Sequence, residues 1–157
     1  MVKKILLVDD DAINLKLCSA TFEKTLAAVR QGNDYVEFPY RRIQIPGIKG
    51  LKAEDGNLEV VCVIDPMTVF QCYDLAEIIL VVVDINMPIM NGFEFIEEIG
   101  RVAPAIQVVV HTSSIDVRDI ERARRYPNVL DFMFKPMNHE MALVILRHAS
   151  KLREKGA

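Results

Sequence analysis

Ile78-Ile79-Leu80-Val81-Val82-Val83-Asp84-Ile85-Asn86-Met87-Pro88 decides how this chain folds. No apolar run in the chain is longer than the six residues from Ile78 to Val83. A short run rich in Val and Ile reads as a strand buried on both faces, here over 79–83 with Asp84 at its end. Residues 4–8 and 106–110 carry the same signal, and 58–64 and 129–134 carry it more weakly.

Helical patterns separate these runs. Asp11 can cap a helix to about Val29, with Ile13, Leu17, Ala20 and Phe22 expected on its inner side. Asp65-Pro66 is a helix start, and Val69, Tyr73 and Ala76 follow at helical spacing. Asn91-Gly92 opens a helix through Phe93, Ile96 and Ile99, with Gly100 as the expected stop. Ser114 or Asp116 starts a helix ending before Pro127, and Asn138 starts the last one, whose Lys/Arg-rich end suits the helix dipole. Strand and helix alternating in this way imply an α/β, doubly wound parallel sheet of five strands with helices on both faces. The ligand site of such a fold lies beyond the carboxyl ends of its strands.

Asp9-Asp10-Asp11 follows the first strand, Asp84 the third, His111-Thr112-Ser113-Ser114 the fourth, and Lys135-Pro136 the fifth. Carboxylates, a hydroxyl and an ammonium therefore converge on one rim. Two like charges 4 Å apart repel by about 4 kcal/mol at an effective dielectric of 20. Asp9, Asp10 and Asp84 need a counter-charge, and a hard divalent cation with oxygen ligands, Mg²⁺, is the natural one.

These pieces resemble the receiver domain of two-component response regulators. The resemblance rests on Leu7-Val8-Asp9-Asp10, Asp84-Ile85-Asn86-Met87-Pro88 with Asn91-Gly92, Thr112-Ser113, and Phe132-Met133-Phe134-Lys135-Pro136, in that order after successive strands. It implies the flavodoxin-like strand order 2-1-3-4-5. It also implies that Asp84 is the phosphoacceptor, taking a phosphoryl group from a sensor histidine kinase or histidine phosphotransfer protein. Asp10 would ligate Mg²⁺ directly, Asp9 would hold its waters, and the Asn86 backbone carbonyl would complete the protein ligands. Thr112 and Lys135 would contact the phosphoryl group, and Phe132 would be the switch aromatic. Asn86 and Ser114 occupy the places that tune phosphoryl lifetime in the family. A downstream target would bind the face of the fourth helix, fifth strand and fifth helix. The chain would act as a switch, not as an enzyme turning over a separate substrate.

The competing class is a Mg²⁺-dependent phosphohydrolase with an aspartate nucleophile, which Asp9-x-Asp11 fits nominally. The later Met-Pro, Thr-Ser and Lys-Pro placements favour the receiver. No G-x-G-x-x-G or G-x-x-x-x-G-K stretch supports a dinucleotide or nucleotide site.

Composition narrows the setting. A net charge of −3 and a pI near 5.6 argue against direct nucleic-acid binding. Membrane spans need about 20 apolar residues, and residues 5–8 are too short for a secretory signal, so a cytoplasmic protein is expected. Cys18, Cys62 and Cys72 form no C-x-x-C and read as reduced thiols in or near the core. His111, His139 and His148 share no metal-ligand spacing and read as structural or surface residues. No output domain is expected after the last helix, which makes the chain a stand-alone receiver or a fragment of a larger protein.

Asp10 and Asp84 are 74 positions apart, more than the family pattern needs, whereas Thr112 lies 28 positions after Asp84 and Lys135 lies 23 after Thr112. The surplus is best placed at residues 29–57 of a single 157-residue domain. Alternating runs at 35–38 and 42–45 favour a β-hairpin or ordered loop there over a disordered linker. Such an insertion leaves the amino ends of the strands, opposite the acidic rim, and its Tyr35, Phe38, Tyr40, Ile43 and Ile45 suit partner binding or self-association as a homodimer.

Overall fold

A computed structural model of the chain describes residues 1–44 and 58–156. The elements are β1 (Lys3–Val8), α1 (Ala12–Arg30), β2 (Tyr35–Phe38), β3 (Arg41–Gln44), β4 (Leu58–Val63), α2 (Met67–Cys72), β5 (Ile78–Val83), α3 (Gly92–Val102), β6 (Gln107–Thr112), α4 (Val117–Ala123), β7 (Val129–Phe134) and α5 (His139–Gly156). Five parallel strands form one sheet in the order β4-β1-β5-β6-β7. Counted within that sheet, this is the expected 2-1-3-4-5.

Both faces are covered, which is why the strands read as continuous apolar runs. Ile5, Leu7, Leu80, Val82 and Val109 meet α1 and α5. Leu6, Val8, Val81, Val83, Val108 and Val110 meet α2, α3 and α4.

Several local expectations change. Asp11 caps α1 by accepting from the Ile13 and Asn14 amides, but the buried side is Leu15, Cys18, Phe22, Leu26 and Val29. Ile13 is 74% and Leu17 62% exposed, and Ala20 is exposed too. Phe22, fully buried, sets the phase. At about 3.6 residues per turn, Ile13 lies half a turn away from it. Asp65 Oδ1 accepts from Met67 N at 2.9 Å, but α2 begins at Met67 with Pro66, not Asp65, in the cap position. The helix stops at Cys72, however, because Tyr73 is extended and Asp74 Oδ1 caps a separate 3₁₀ turn, Leu75–Glu77. Tyr73 and Ala76 therefore share no helix with Val69.

Gly100 does not stop α3, which runs to Val102. A Cβ at Gly100 would lie 3.1 Å from Asn128 Nδ2, so the glycine serves close packing instead. Cys62 and Cys72 are exposed, and Cys18 alone of the three is buried.

Between α1 and β4, β2 and β3 form the expected antiparallel hairpin, linked by Pro39-Tyr40. Ile45, predicted to belong to its second strand, lies outside the described residues. Val36 is buried against Ala28 and Val29 of α1 and Leu143 of α5. The hairpin does not stay at the end of the molecule where α1 finishes. Phe38 packs edge-on against His139, the first residue of α5, at 5.7 Å between ring centroids, with Lys24 Nζ 4.9 Å from the Phe38 ring. On the outer side Arg42 lies over the Tyr35 ring and donates to Glu37 at 3.2 Å.

Candidate functional site

Parallel pairing brings the ends of β1, β5 and β7 to one rim. Asp9 N donates to Val63 O, Asp84 N to Val8 O, and Lys135 N to Thr112 O, so each residue extends a ladder by one step. Asp9 and Asp84 are buried, while Asp10 is exposed. One carboxylate oxygen from each of Asp9, Asp10 and Asp84 falls within 4.8 Å of the others.

Lys135 supplies the counter-charge. Its Nζ lies 2.7 Å from Asp9 Oδ2 and 2.9 Å from Asp84 Oδ2. Burial alone would lower the ammonium pKa. The hydrogen bonds and negative charges of Asp9 and Asp84 outweigh it and raise the pKa above the ordinary lysine value. The Lys135-Pro136 peptide is cis.

Asp9 is held further by two groups of the first helical turn. Its Oδ1 accepts from Asp11 N at 2.9 Å, and its Oδ2 accepts from Asn14 Nδ2 at 2.6 Å. Asn14 was not singled out in the sequence; the available signal is its place five residues after Asp9, at the start of a helix. Asp84 Oδ1 accepts weakly from Asn86 N at 3.3 Å.

The loop after Asp84 is tightly built. A Cβ on Gly92, the first residue of α3, would lie 2.3 Å from the Asp84 carbonyl oxygen, so only glycine fits there. Asn91 and Glu94 form a capping box that anchors the helix start. Between them and Asp84, Met90 N donates to Pro88 O at 2.8 Å around Ile89, whose φ is +68°. A β-branched residue there is strained, and Ile89 is also 97% exposed.

Thr112 is fully buried, and its Oγ1 accepts from Ser114 N at 3.1 Å, leaving the hydroxyl proton uncommitted to that bond. Phe132 is half-buried on the α2–α4 side and packs edge-on with Phe134 at 5.5 Å between centroids. Asn86 is exposed at the mouth. Of the residues singled out in the sequence, Asp9, Asp10 and Asp84 thus cluster at the rim, Lys135 bridges Asp9 and Asp84, the Asn86 amide donates to Asp84, and the Thr112 carbonyl accepts from the Lys135 amide. Phe132 stands on β7 away from the carboxylates, three residues before Lys135.

The fold is thus a doubly wound sheet whose strand ends form an acidic rim neutralised by a lysine. The family model described as "Response regulator receiver domain" matches residues 46–147. The chain belongs to that family. The matched stretch begins after Asp9 and Asp10, so those two enter through the structure. No curated protein matches in sequence.

Solved structures agree in fold. A response regulator receiver domain protein from Clostridium thermocellum superposes with TM-score 0.70 at 16% identity, covering 99% of this chain and 100% of that one. A CheY-like receiver domain protein from Methanospirillum hungatei gives 0.63 at 17%, covering all of both chains. The Vibrio cholerae chemotaxis protein CheY4 gives 0.64 at 18%, covering 95% of this chain and 99% of that one.

Proposed function

We propose that the chain is a phosphorylation-controlled switch in which the Asp84 carboxylate takes a phosphoryl group from a phosphohistidine of a sensor histidine kinase or histidine phosphotransfer protein. The observation that carries this reading is Asp84 itself, buried at a strand end, next to two further carboxylates and bonded to Lys135. In the transfer a carboxylate oxygen attacks phosphorus, the P–N bond breaks, and its electron pair leaves with the imidazole.

The all-oxygen donor set of Asp9, Asp10 and Asp84 fits a hard cation such as Mg²⁺, with the Asn86 carbonyl as a further ligand. When bound, that ion would neutralise the phosphoryl oxygens. Lys135 then pairs with the phosphoryl group, and the Thr112 hydroxyl donates to it. Phosphorylation adds close to two negative charges, which favour a different packing of Thr112 and Phe132. Phe132 has no hydroxyl, so its two positions differ by packing alone. A swing from 1:99 to 99:1 takes about 5.5 kcal/mol.

A protein phosphodonor suits the rim. Among the described residues the exposed isoleucines are Ile13, Ile64, Ile89 and Ile115, each shortly after a strand of the sheet. The hydrolase alternative loses support because Asp11, the second acid it needs, is engaged as the α1 cap. The hairpin segment is read as an insertion serving partner binding or self-association, and the α4, β7 and α5 face as the target-binding surface. The chain carries no nucleic-acid function in this reading and acts in the cytoplasm; no described helix is long and apolar enough to cross a membrane.

The test is intact mass after incubation with Mg²⁺ and acetyl phosphate. The native protein should gain one phosphate and Asp84→Asn none; equal behaviour of the two would overturn the assignment.

A further inference from the structure

His111 is a buried side chain that the chemistry above does not use. It is 3% exposed, and its Nε2 has no hydrogen-bond partner among the described residues. Leaving a buried polar atom unpaired is costly, a cost that another valine would avoid in a strand that already holds Val108, Val109 and Val110.

Its neighbours suggest what the nitrogen is for. His111 pairs in register with Met133 of β7, and Val109 and Met133 both face α1 and α5. Strand alternation places His111 on the same side. Lys135 continues the ladder through Thr112 O, two residues beyond Met133, which makes it a diagonal neighbour of His111 within reach of a long side chain. Burial, then the positive charge of Lys135, lowers the His111 pKa to about 4, so the ring is neutral at pH 7 and keeps one bare nitrogen.

Lys135 has three ammonium protons, and Asp9 and Asp84 engage two of them. The Asp9 oxygen that Lys135 now holds is also one that would ligate a divalent cation held with Asp10 and Asp84, so the two would compete for it. The proton so released is mostly shielded from solvent, since the Lys135 side chain is 15% exposed.

We propose that His111 is a positioning residue for Lys135, its Nε2 accepting the ammonium N–H that Lys135 releases when Asp9 turns to a divalent cation. The ammonium is then held on the Asp84 side, charged and aimed at the phosphoryl position. This inference rests on Asp84 being the phosphoacceptor for its effect on rate, but not for the hydrogen bond itself.

Two measurements test it. In ¹⁵N-labelled native protein titrated with Mg²⁺ alone, the bare ring nitrogen of His111 should shift on Mg²⁺ addition, and the shift should be absent in Lys135→Met. No Mg²⁺-linked shift in the native protein, or the same shift in both proteins, overturns the proposal. In acetyl phosphate labelling, His111→Leu should be slowed roughly tenfold. His111→Gln, which restores an acceptor near the Nε2 position, should recover most of the rate. Labelling of His111→Leu at the native rate overturns the proposal. Absence of labelling in the native protein would strike instead at the Asp84 reading, and the ring-nitrogen result, which needs no His111 variant to fold, then decides this one.

Discussion

Lys135 Nζ stands 2.9 Å from Asp84 Oδ2, so the phosphoacceptor candidate carries its counter-charge before any phosphoryl group arrives. The same ammonium holds Asp9 at 2.7 Å. One cation thus offsets two buried carboxylates, and its removal leaves both uncompensated.

Lys135→Met should therefore lower the free energy of urea unfolding by about 3 kcal/mol in the absence of divalent ions, the usual cost of breaking a buried pair from one side. Adding Mg²⁺ should restore much of the loss, because a cation at the carboxylates replaces the missing charge. Denaturation curves with and without Mg²⁺ measure both effects. A variant as stable as the native protein without Mg²⁺ would contradict this account of the rim.

Gly92→Ala should damage the site although it adds a single methyl group. The new Cβ would sit 2.3 Å from the Asp84 carbonyl oxygen, so the backbone of Asp84 or the start of α3 must move. The expected result is a loss of about 1–3 kcal/mol and much slower acetyl phosphate labelling. Native labelling and stability in this variant would show that the close approach does not set the Asp84 position.

His111 predicts a particular acid limb. Its pKa is lowered from 6.5 to about 4 in the folded protein, so the unfolded chain binds the proton more readily. The stability linked to this group is present above pH 6.5 and is lost as pH falls through 4, on the order of 3 kcal/mol in all. His111→Leu should flatten the stability profile across that window while leaving the part below pH 4, which belongs to the carboxylates. Parallel profiles for the two proteins between pH 6.5 and 4 would refute the buried neutral imidazole.

Ile89→Gly should stabilise the protein by about 1 kcal/mol, since glycine takes φ +68° without strain and the isoleucine packs on nothing. If the isoleucine instead anchors the phosphodonor, the same variant should accept phosphate from acetyl phosphate normally and from a protein donor more slowly. A drop in melting temperature would contradict the strain.

β1, β5 and β6 were legible because they are buried on both faces, so composition marks them, whereas the edge strands β4 and β7, with Glu59, Cys62, Leu130 and Phe134 exposed, read more weakly. The phase of α1 was not legible. Ile13 and Leu17 are apolar yet exposed, and the fully buried Phe22 outweighs them only once α1 packs on the sheet and α5. Gly100 looked like a helix stop because its partner, Asn128, is far away in sequence. Asp9, Asp10, Asp84 and Lys135 could be found because strand ends converge by topology. Asn14 and His111 could not, since an asparagine in a first turn and a histidine in a valine-rich strand have ordinary explanations that only their neighbours in space displace.

Chemical identification of the modified residue tests the central claim most directly. The protein, labelled with acetyl phosphate and Mg²⁺, is reduced with borohydride, which converts an aspartyl phosphate into homoserine, and is then digested and sequenced by mass. Asp84 as phosphoacceptor predicts homoserine at position 84 alone, formed only when Mg²⁺ is present during labelling. Homoserine at position 9 or 10, or a phosphate that survives reduction on another residue, would contradict it.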